Sequence, residues 1–199
     1  MGTSTNQRSP ANIPSWRIAQ RVLGASEVPI ERQTLEVWNA ATADRAGRLA
    51  TELCSASIVD AVRIAATSAQ PTNAVNQYDD ILNQRQDSGV VYDVARRALL
   101  RAVSRKEGAE GFAKELFVEA ANYYVSRDMP SVVAAKGRVA TMTEAIAIKQ
   151  RVRDQTKDAV TPIAAQFSNE LKKRGSISTQ SWTRAVAAAL SALRGRRKP

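Results

Sequence analysis

Histidine is absent from this chain of 199 residues, and cysteine occurs once, as Cys54. The first absence removes imidazole from general acid–base catalysis, from histidine-assisted nucleophiles and from metal sites. The second excludes an intramolecular disulfide and a thiolate metal cluster. Because Cys54 falls in an apolar helical pattern, we interpret it as a small core residue rather than a reactive thiol. We accordingly expect a protein that is not an enzyme and has no catalytic residues, no cofactor and no metal site.

Long apolar runs and a secretory signal are also missing. Residues 1–20 are polar and contain Pro10 and Pro14, unlike the apolar core of a signal peptide. The longest apolar segment, residues 185–193, is half as long as the roughly 18 residues that a membrane span needs. The sequence therefore predicts a cytoplasmic protein that does not enter a membrane.

Alternating β patterns are missing as well, and glycine and proline lie mostly between apolar segments, whereas alanine is abundant. Alanine is the best helix former and lets helices approach closely. The sequence predicts an all-α fold, a single irregular bundle of about seven to nine helices over residues 15–193. We expect a flexible polar arm at residues 1–14 and a basic disordered tail at residues 194–199.

Aromatic residues are few, and four of the ten lie in residues 112–127. The apolar residues of this segment form two adjoining helical stripes: Phe112, Leu116, Ala120 and Tyr123, and beside them Ala113, Phe117 and Tyr124. Two stripes make a face so wide that several neighbours must cover it. We predict a central core helix here, which residues 128–131 interrupt.

Two apolar patterns before it are helical too. One predicts a long helix from about Leu49 that ends before Pro71. The other predicts a helix whose buried face is Val91, Val94, Ala95, Ala98, Leu99 and Ala102. Ser104 and Glu107 then have the spacing of a capping box, which would open the central helix.

The C-terminal third is divided by turn-forming residues. Thr143 is predicted to cap a helix with Ala145, Ile146 and Val152 as its apolar residues, ending near residue 160. Pro162 would open a second helix, which Gly175 ends. The last helix starts near Thr179 with one apolar stripe, Trp182, Val186, Ala189, Leu190 and Leu193.

Acidic residues are scarce in the last quarter of the chain. Residues 1–144 contain 17 basic and 16 acidic side chains, whereas residues 145–199 contain 12 basic and 3 acidic ones. Nearly all of the net charge of +10 therefore lies after residue 144. This asymmetry predicts an anionic partner for the C-terminal end, with nucleic acid the commonest.

The candidate nucleic-acid-binding residues are Lys149, Arg151, Arg153, Lys157, Lys172, Lys173, Arg174, Arg194, Arg196, Arg197 and Lys198. Lys149, Arg153 and Lys157 are one helical turn apart, so they share an edge. Cations at 172–174 also suit a helix C-terminus, and a short basic tail can serve solubility alone. A functional and a merely solvating surface both stay open, as does an extension of the patch by arginines 96, 97 and 101.

No helix-turn-helix, zinc-finger or RNA-binding aromatic motif occurs, so any nucleic acid would be bound through its backbone and without sequence specificity. Glu115 and Glu119 are one turn apart, but metal-binding helices pair such glutamates with histidine. Since Lys114 is their neighbour, we interpret them as a solvated edge. Tyr123 and Tyr124 are interpreted as core residues with satisfied hydroxyls.

The N-terminal motifs are Met1-Gly2-Thr3-Ser4, Ser9-Pro10 and Pro14-Ser15-Trp16. They resemble the start of small proteins encoded in bacterial anti-phage gene clusters, notably the B component of the Qat system. The resemblance covers residues 1–17 and implies a cytoplasmic prokaryotic accessory protein that works beside enzymes encoded elsewhere. It assigns no site residues.

Two hypotheses follow. The first is a non-enzymatic accessory subunit of a prokaryotic multi-protein system, which the resemblance implies to be one of anti-phage defence. This subunit joins partners encoded nearby and contacts nucleic acid through residues 149–198. The second is a protein-binding adaptor or self-assembling structural subunit that docks through residues 1–17 and has no nucleic-acid role. The sequence leaves homo-oligomerisation, and the choice between DNA and RNA, open.

Overall fold

Eight helices follow one another along the part of the chain that the computed structural model describes, residues 19, 21, 28–42, 46–134 and 141–194. They are α1 (Ile30–Thr42), α2 (Ala46–Leu53), α3 (Ala56–Thr67), α4 (Pro71–Arg85), α5 (Val90–Ser104), α6 (Gly108–Ala134), α7 (Met142–Arg174) and α8 (Thr179–Leu193). These residues contain no strand, so the all-α prediction is confirmed. The predicted arm and residues 195–199 of the predicted tail lie outside the described residues.

The central helix is α6. Its residues are buried almost all round from Gly111 to Val125, and α1, α3, α5 and α7 pack against it. Both predicted stripes face these neighbours, with only Tyr123 half-buried. The prediction that several helices must cover this segment is therefore confirmed, and α6 is the axis of the bundle.

Aromatic rings join α6 to the two C-terminal helices. Trp182 of α8 is fully buried, and its ring centroid lies 6.4 Å from that of Phe112 and 5.3 Å from that of Phe167. The predicted stripes of α5 and α8 are both confirmed as buried faces. None of the helices in the described ranges combines the length and apolarity that a bilayer span requires.

The prediction of one long helix between Leu49 and Pro71 is wrong, because Cys54 and Ser55 are not helical and separate α2 from α3. The Ser55 hydroxyl accepts a hydrogen bond from the backbone N–H of Ile58, which makes Ser55 the N-cap of α3. Such a cap satisfies one of the unpaired N–H groups of a new helix. Cys54 is partly buried and packs against the core.

The capping box predicted at Ser104 and Glu107 is also wrong. Ser104 is the last residue of α5, and the turn after it closes by bonds to carbonyls behind it. The N–H of Glu107 donates to Ala102 across 2.9 Å and that of Lys106 to Val103 across 3.1 Å. This is a Schellman turn, with Lys106 in the left-handed conformation (φ 58°) that glycine usually takes.

Two helices continue where proline was predicted to interrupt them. The α6 backbone stays helical through Pro130 to Ala134, and α7 is one helix of 33 residues with Pro162 inside it. The N-cap of α7 is Thr141 rather than Thr143, with Glu144 completing a capping box. Gly175 ends α7 as predicted, in the left-handed conformation.

Candidate nucleic-acid interface

Most of the predicted basic residues lie on α7. The Thr141 hydroxyl accepts from the Glu144 N–H, and the Glu144 carboxylate accepts from the Thr141 N–H, each at 3.2 Å. This reciprocal pair fixes where the helix begins. One side of α7 faces the core through Ala145, Ile148, Val152, Thr156, Val160, Ala164, Phe167 and Ser168. The residues beside this buried stripe therefore lie at the boundary between the core and the solvent.

Three basic side chains lie on one edge of α7, next to the buried stripe. Lys149 and Arg153 are half-buried and Lys157 is exposed, and their four-residue spacing places them one above the other at intervals of about 6 Å. Met142 and Ile146 extend the same edge toward the N-terminus and are 61% and 63% exposed. We call these five residues the α7 edge. Arg151 lies on a different side of the helix and is half-buried.

The other predicted group on α7 lies at the opposite end. Lys172, Lys173 and Arg174 occupy the last turn and are exposed. They are separated from Lys157 by about 22 Å of helix, and only Asp158 and Glu170 are charged in between. The structure thus brings the first three cations together but leaves residues 172–174 as a separate group, which also complements the helix dipole.

Arg194 lies at the end of the neighbouring helix α8 rather than on α7. The short connection after Gly175 makes α7 and α8 antiparallel, since Val160 and Ala189 line one cavity. Arg194 follows Ala189 by about 7.5 Å of helix, so it is level with the middle of α7. It is exposed at the C-cap of α8. Arg196, Arg197 and Lys198 lie outside the described residues.

Ion pairing distinguishes α7 from the segment that runs from α2 to α6. Seven cations of this segment pair with carboxylates within the described residues: Arg48, Arg63, Arg85, Arg96, Arg101, Arg105 and Lys114. Arg97 and Lys106 are its two cations that form no ion pair with another described residue. On α7, no ion pair forms within the described part of the chain at any of the seven basic positions: Lys149, Arg151, Arg153, Lys157, Lys172, Lys173 and Arg174. The unmatched cations are therefore concentrated where the sequence predicted them.

Glu115 and Glu119 do not form the predicted solvated edge. Both are buried on α6, and the side chains are only 5% and 3% exposed. Arg105 donates to Glu115 across 2.8 Å, and Arg101 donates to Glu119 and lies 3.6 Å from Glu115. Arg101 is therefore paired with buried carboxylates and does not extend a basic patch.

Met142 and Ile146 are the members of the α7 edge that sequence reasoning missed. The sequence contains the spacing that joins them to Lys149 and Arg153, because positions separated by three or four residues share an edge of a helix. What the sequence did not show is which apolar residues the neighbouring helices leave uncovered. Within the described ranges, no group of three or more Asp, Glu or Cys residues is placed to hold a metal ion.

Comparison with protein-family models, curated proteins and solved structures finds no match to this chain.

Proposed function

We propose that the protein is a non-enzymatic accessory subunit that binds the phosphate backbone of nucleic acid through the α7 edge. The observation that supports this is the contrast in ion pairing between the cations of α7 and those of helices α2 to α6. Arg96, Arg101 and Arg105 are held by carboxylates, whereas Lys149, Arg153 and Lys157 are not. Cations without an internal partner are the ones that can exchange counterions for phosphates.

The partial burial of Lys149 and Arg153 favours a binding role over a merely solvating one. Both residues are half-buried, which is typical of long basic side chains whose aliphatic stem packs against the protein and whose charged end stays in solvent. Side chains that are already positioned lose less conformational freedom when they bind. The basic part of the edge, Lys149 to Lys157, covers about 12 Å, along which a DNA duplex presents roughly seven phosphate charges.

The acidic residues of α7 limit the strength of this interaction. The helix carries seven basic and four acidic side chains, and Asp154, beside Arg153, accepts a hydrogen bond from Gln150 at 2.9 Å. We therefore expect weak, strongly salt-dependent binding, with a dissociation constant of about 1–100 μM. Lys172, Lys173, Arg174, Arg194 and the residues 196–198 add contacts when the bound strand is long.

The resemblance of residues 1–17 to the Qat B component extends the proposal to a prokaryotic cytoplasmic assembly with protein partners encoded nearby. Those residues lie outside the described part of the chain, so docking through them stays a prediction. The role of a pure adaptor is the alternative that the following experiment separates from nucleic-acid binding.

The test is a titration of a labelled duplex of about 20 base pairs at several salt concentrations, with two triple variants of equal charge. One replaces Lys149, Arg153 and Lys157 by glutamine, and the control replaces Arg48, Arg97 and Lys106. We expect the first to weaken binding and to reduce the salt slope by up to about 2.7, because each lost phosphate contact contributes about 0.9. The control should change both quantities much less.

Equal losses in the two triple variants would mean that only net charge matters, and no loss in either would favour the adaptor hypothesis. Both outcomes contradict a role of the α7 edge. A third variant that ends at Arg194 measures the contribution of residues 195–199 separately. Circular dichroism of each variant confirms that the helices are retained.

A further inference from the structure

A groove opens between α7 and α8 on a part of the surface that the α7 edge does not include. It has a volume of about 230 Å³, and apolar side chains line it, among them Ile163, Phe167 and Ala185. Glu170 of α7 and Arg184 of α8 also line it. The groove therefore combines an apolar floor with one acidic and one basic group.

The two charged groups do not satisfy each other. Glu170 is half-buried and Arg184 is exposed, and neither makes an ion pair or a hydrogen bond within the described residues. Asp60 and Asp79, by contrast, are each paired with arginine. The groove consequently presents an unmatched anion and an unmatched cation to whatever covers it.

We infer that the occupant of this groove is a second copy of the same chain, related by a two-fold axis. In a two-fold interface each contact occurs twice: where one residue of the first copy contacts a second residue of the other copy, the same two residues also contact each other with the copies exchanged. Arg184 of each copy would then face Glu170 of the other, which matches both charges twice. A partner of a single charge sign matches only one of the two groups.

The walls of the groove suit the approach of another helix. Ala185 and Ala188 line it from α8, and small side chains allow two helix axes to come close together. A contact made mainly by one pair of helices lies at the small end of protein interfaces, below about 1,200 Å². The dimer is accordingly reversible, and its population depends on protein concentration.

The experiment is sedimentation velocity of the full chain over protein concentrations of about 1 to 200 μM, with a charge-swap design. Arg184→Glu and Glu170→Arg each create like-charge contacts, which occur twice in a two-fold interface. The double variant Arg184→Glu with Glu170→Arg restores opposite charges and leaves the net charge unchanged. Each single variant should weaken dimerisation at least tenfold, and the double variant should recover it.

The control is Arg97→Glu, an exposed position on α5 with the same charge change as Arg184→Glu. It should leave dimerisation within about twofold of the unmodified chain. A chain that stays monomeric over the whole range, or a double variant no better than the single ones, overturns the inference. Neither result bears on the duplex titration, because the α7 edge is unchanged in every variant.

Discussion

Trp182 donates its indole N–H to the backbone carbonyl of Leu53 across 2.8 Å, which joins two helices whose residues are 129 positions apart in the chain. The bond connects the last helix to the C-terminal end of α2. It also lies inside the core, since both side chains are buried. The carbonyl at the end of α2 therefore obtains from α8 the donor that the helix itself does not supply.

Trp182→Phe is expected to lower the free energy of unfolding by about 2–4 kcal/mol, because the variant loses ring volume and leaves a buried carbonyl without its donor. Trp38→Phe is the matched control. Trp38 is also buried, but its indole nitrogen has no hydrogen-bond partner within the described residues. Urea titrations followed by circular dichroism give both values. The prediction fails when Trp182→Phe costs no more than Trp38→Phe.

In the cluster between α5 and α6, replacement of the arginine and replacement of the glutamate should lower the free energy of unfolding by unequal amounts. Glu119 is almost fully buried, whereas the Arg101 side chain is 37% exposed. An arginine without its partner can be hydrated, but a glutamate without its partner remains in the core. We expect Arg101→Met to cost about 3–5 kcal/mol and Glu119→Gln only about 1–2 kcal/mol.

The double variant Arg101→Met with Glu119→Leu separates the loss of the pair from the loss of one partner. Replacing both charges by apolar side chains removes the unpaired group, so this variant should be more stable than Arg101→Met alone. Urea titrations of the three variants at one pH provide the comparison. If Glu119→Gln lowers the free energy of unfolding more than Arg101→Met does, then burial does not make an unpaired Glu119 more costly than an unpaired Arg101.

Tyr78 predicts a loss of stability in alkaline solution. Its side chain is fully buried, and its hydroxyl has no hydrogen-bond partner among the described residues. Burial, aided by Tyr92 and Asp87, raises the pKa of Tyr78 far above the ordinary 10.0. Above pH 10 the unfolded chain loses this proton and the folded chain keeps it. Stability therefore falls with rising pH, by about 1.4 kcal/mol per pH unit from this group.

Tyr78→Phe removes both the titration and the unpaired hydroxyl. We expect the variant to be about 1 kcal/mol more stable at neutral pH, because an unsatisfied buried group no longer has to be desolvated. Its advantage over the unmodified chain should grow between pH 10 and pH 11. Urea titrations at pH 8, 10 and 11 measure the difference. A constant or shrinking advantage would show that Tyr78 ionises without cost.

The buried cluster of α5 and α6 was not predicted, because the glutamates were interpreted as a solvated edge. Arg105 lies in the turn between these helices and Arg101 one helical turn before it, whereas Glu115 and Glu119 lie about two and three turns into α6. The partners are therefore not at equal distances from the turn, and the packing of α5 on α6 decides which carboxylate each arginine contacts. No pattern within a single helix contains that relation.

Apolar periodicity predicted the interior of helices better than their ends. The stripes of α5 and α8 were confirmed residue by residue, because burial of a whole face decides a helix. The end of a helix depends on one or two capping residues, and several nearby residues can take that role. Ser55 begins α3 in the middle of an apolar run, and Lys106 takes a left-handed conformation that a lysine does not signal.

For the candidate site, the sequence located the cations but not their surroundings. Lys149, Arg153 and Lys157 share an edge, as their spacing predicted. That they lack carboxylate partners depends on which helices pack beside α7, and no spacing along one helix contains that information. The groove of Glu170 and Arg184 was missed for the same reason, since it exists only where two helices meet.

Pro162 provides the sharpest contrast between local preference and packing. A proline inside a helix lacks the N–H that would bond four residues back, here to the carbonyl of Asp158, and its ring crowds that carbonyl, at a cost of about 3 kcal/mol. The helix nevertheless continues, because it packs against α6 and α8. Pro162 itself is exposed, so an alanine there loses no core contact.

Pro162→Ala is therefore expected to raise the free energy of unfolding by about 1–3 kcal/mol. Pro71→Ala is the control, because Pro71 is the first residue of α4, where the missing N–H costs nothing and the fixed φ angle is favourable. That variant should be unchanged or slightly less stable. Thermal and urea unfolding followed by circular dichroism compare the two. Destabilisation by Pro162→Ala would mean that α7 needs the bend this proline imposes in order to pack against both neighbours.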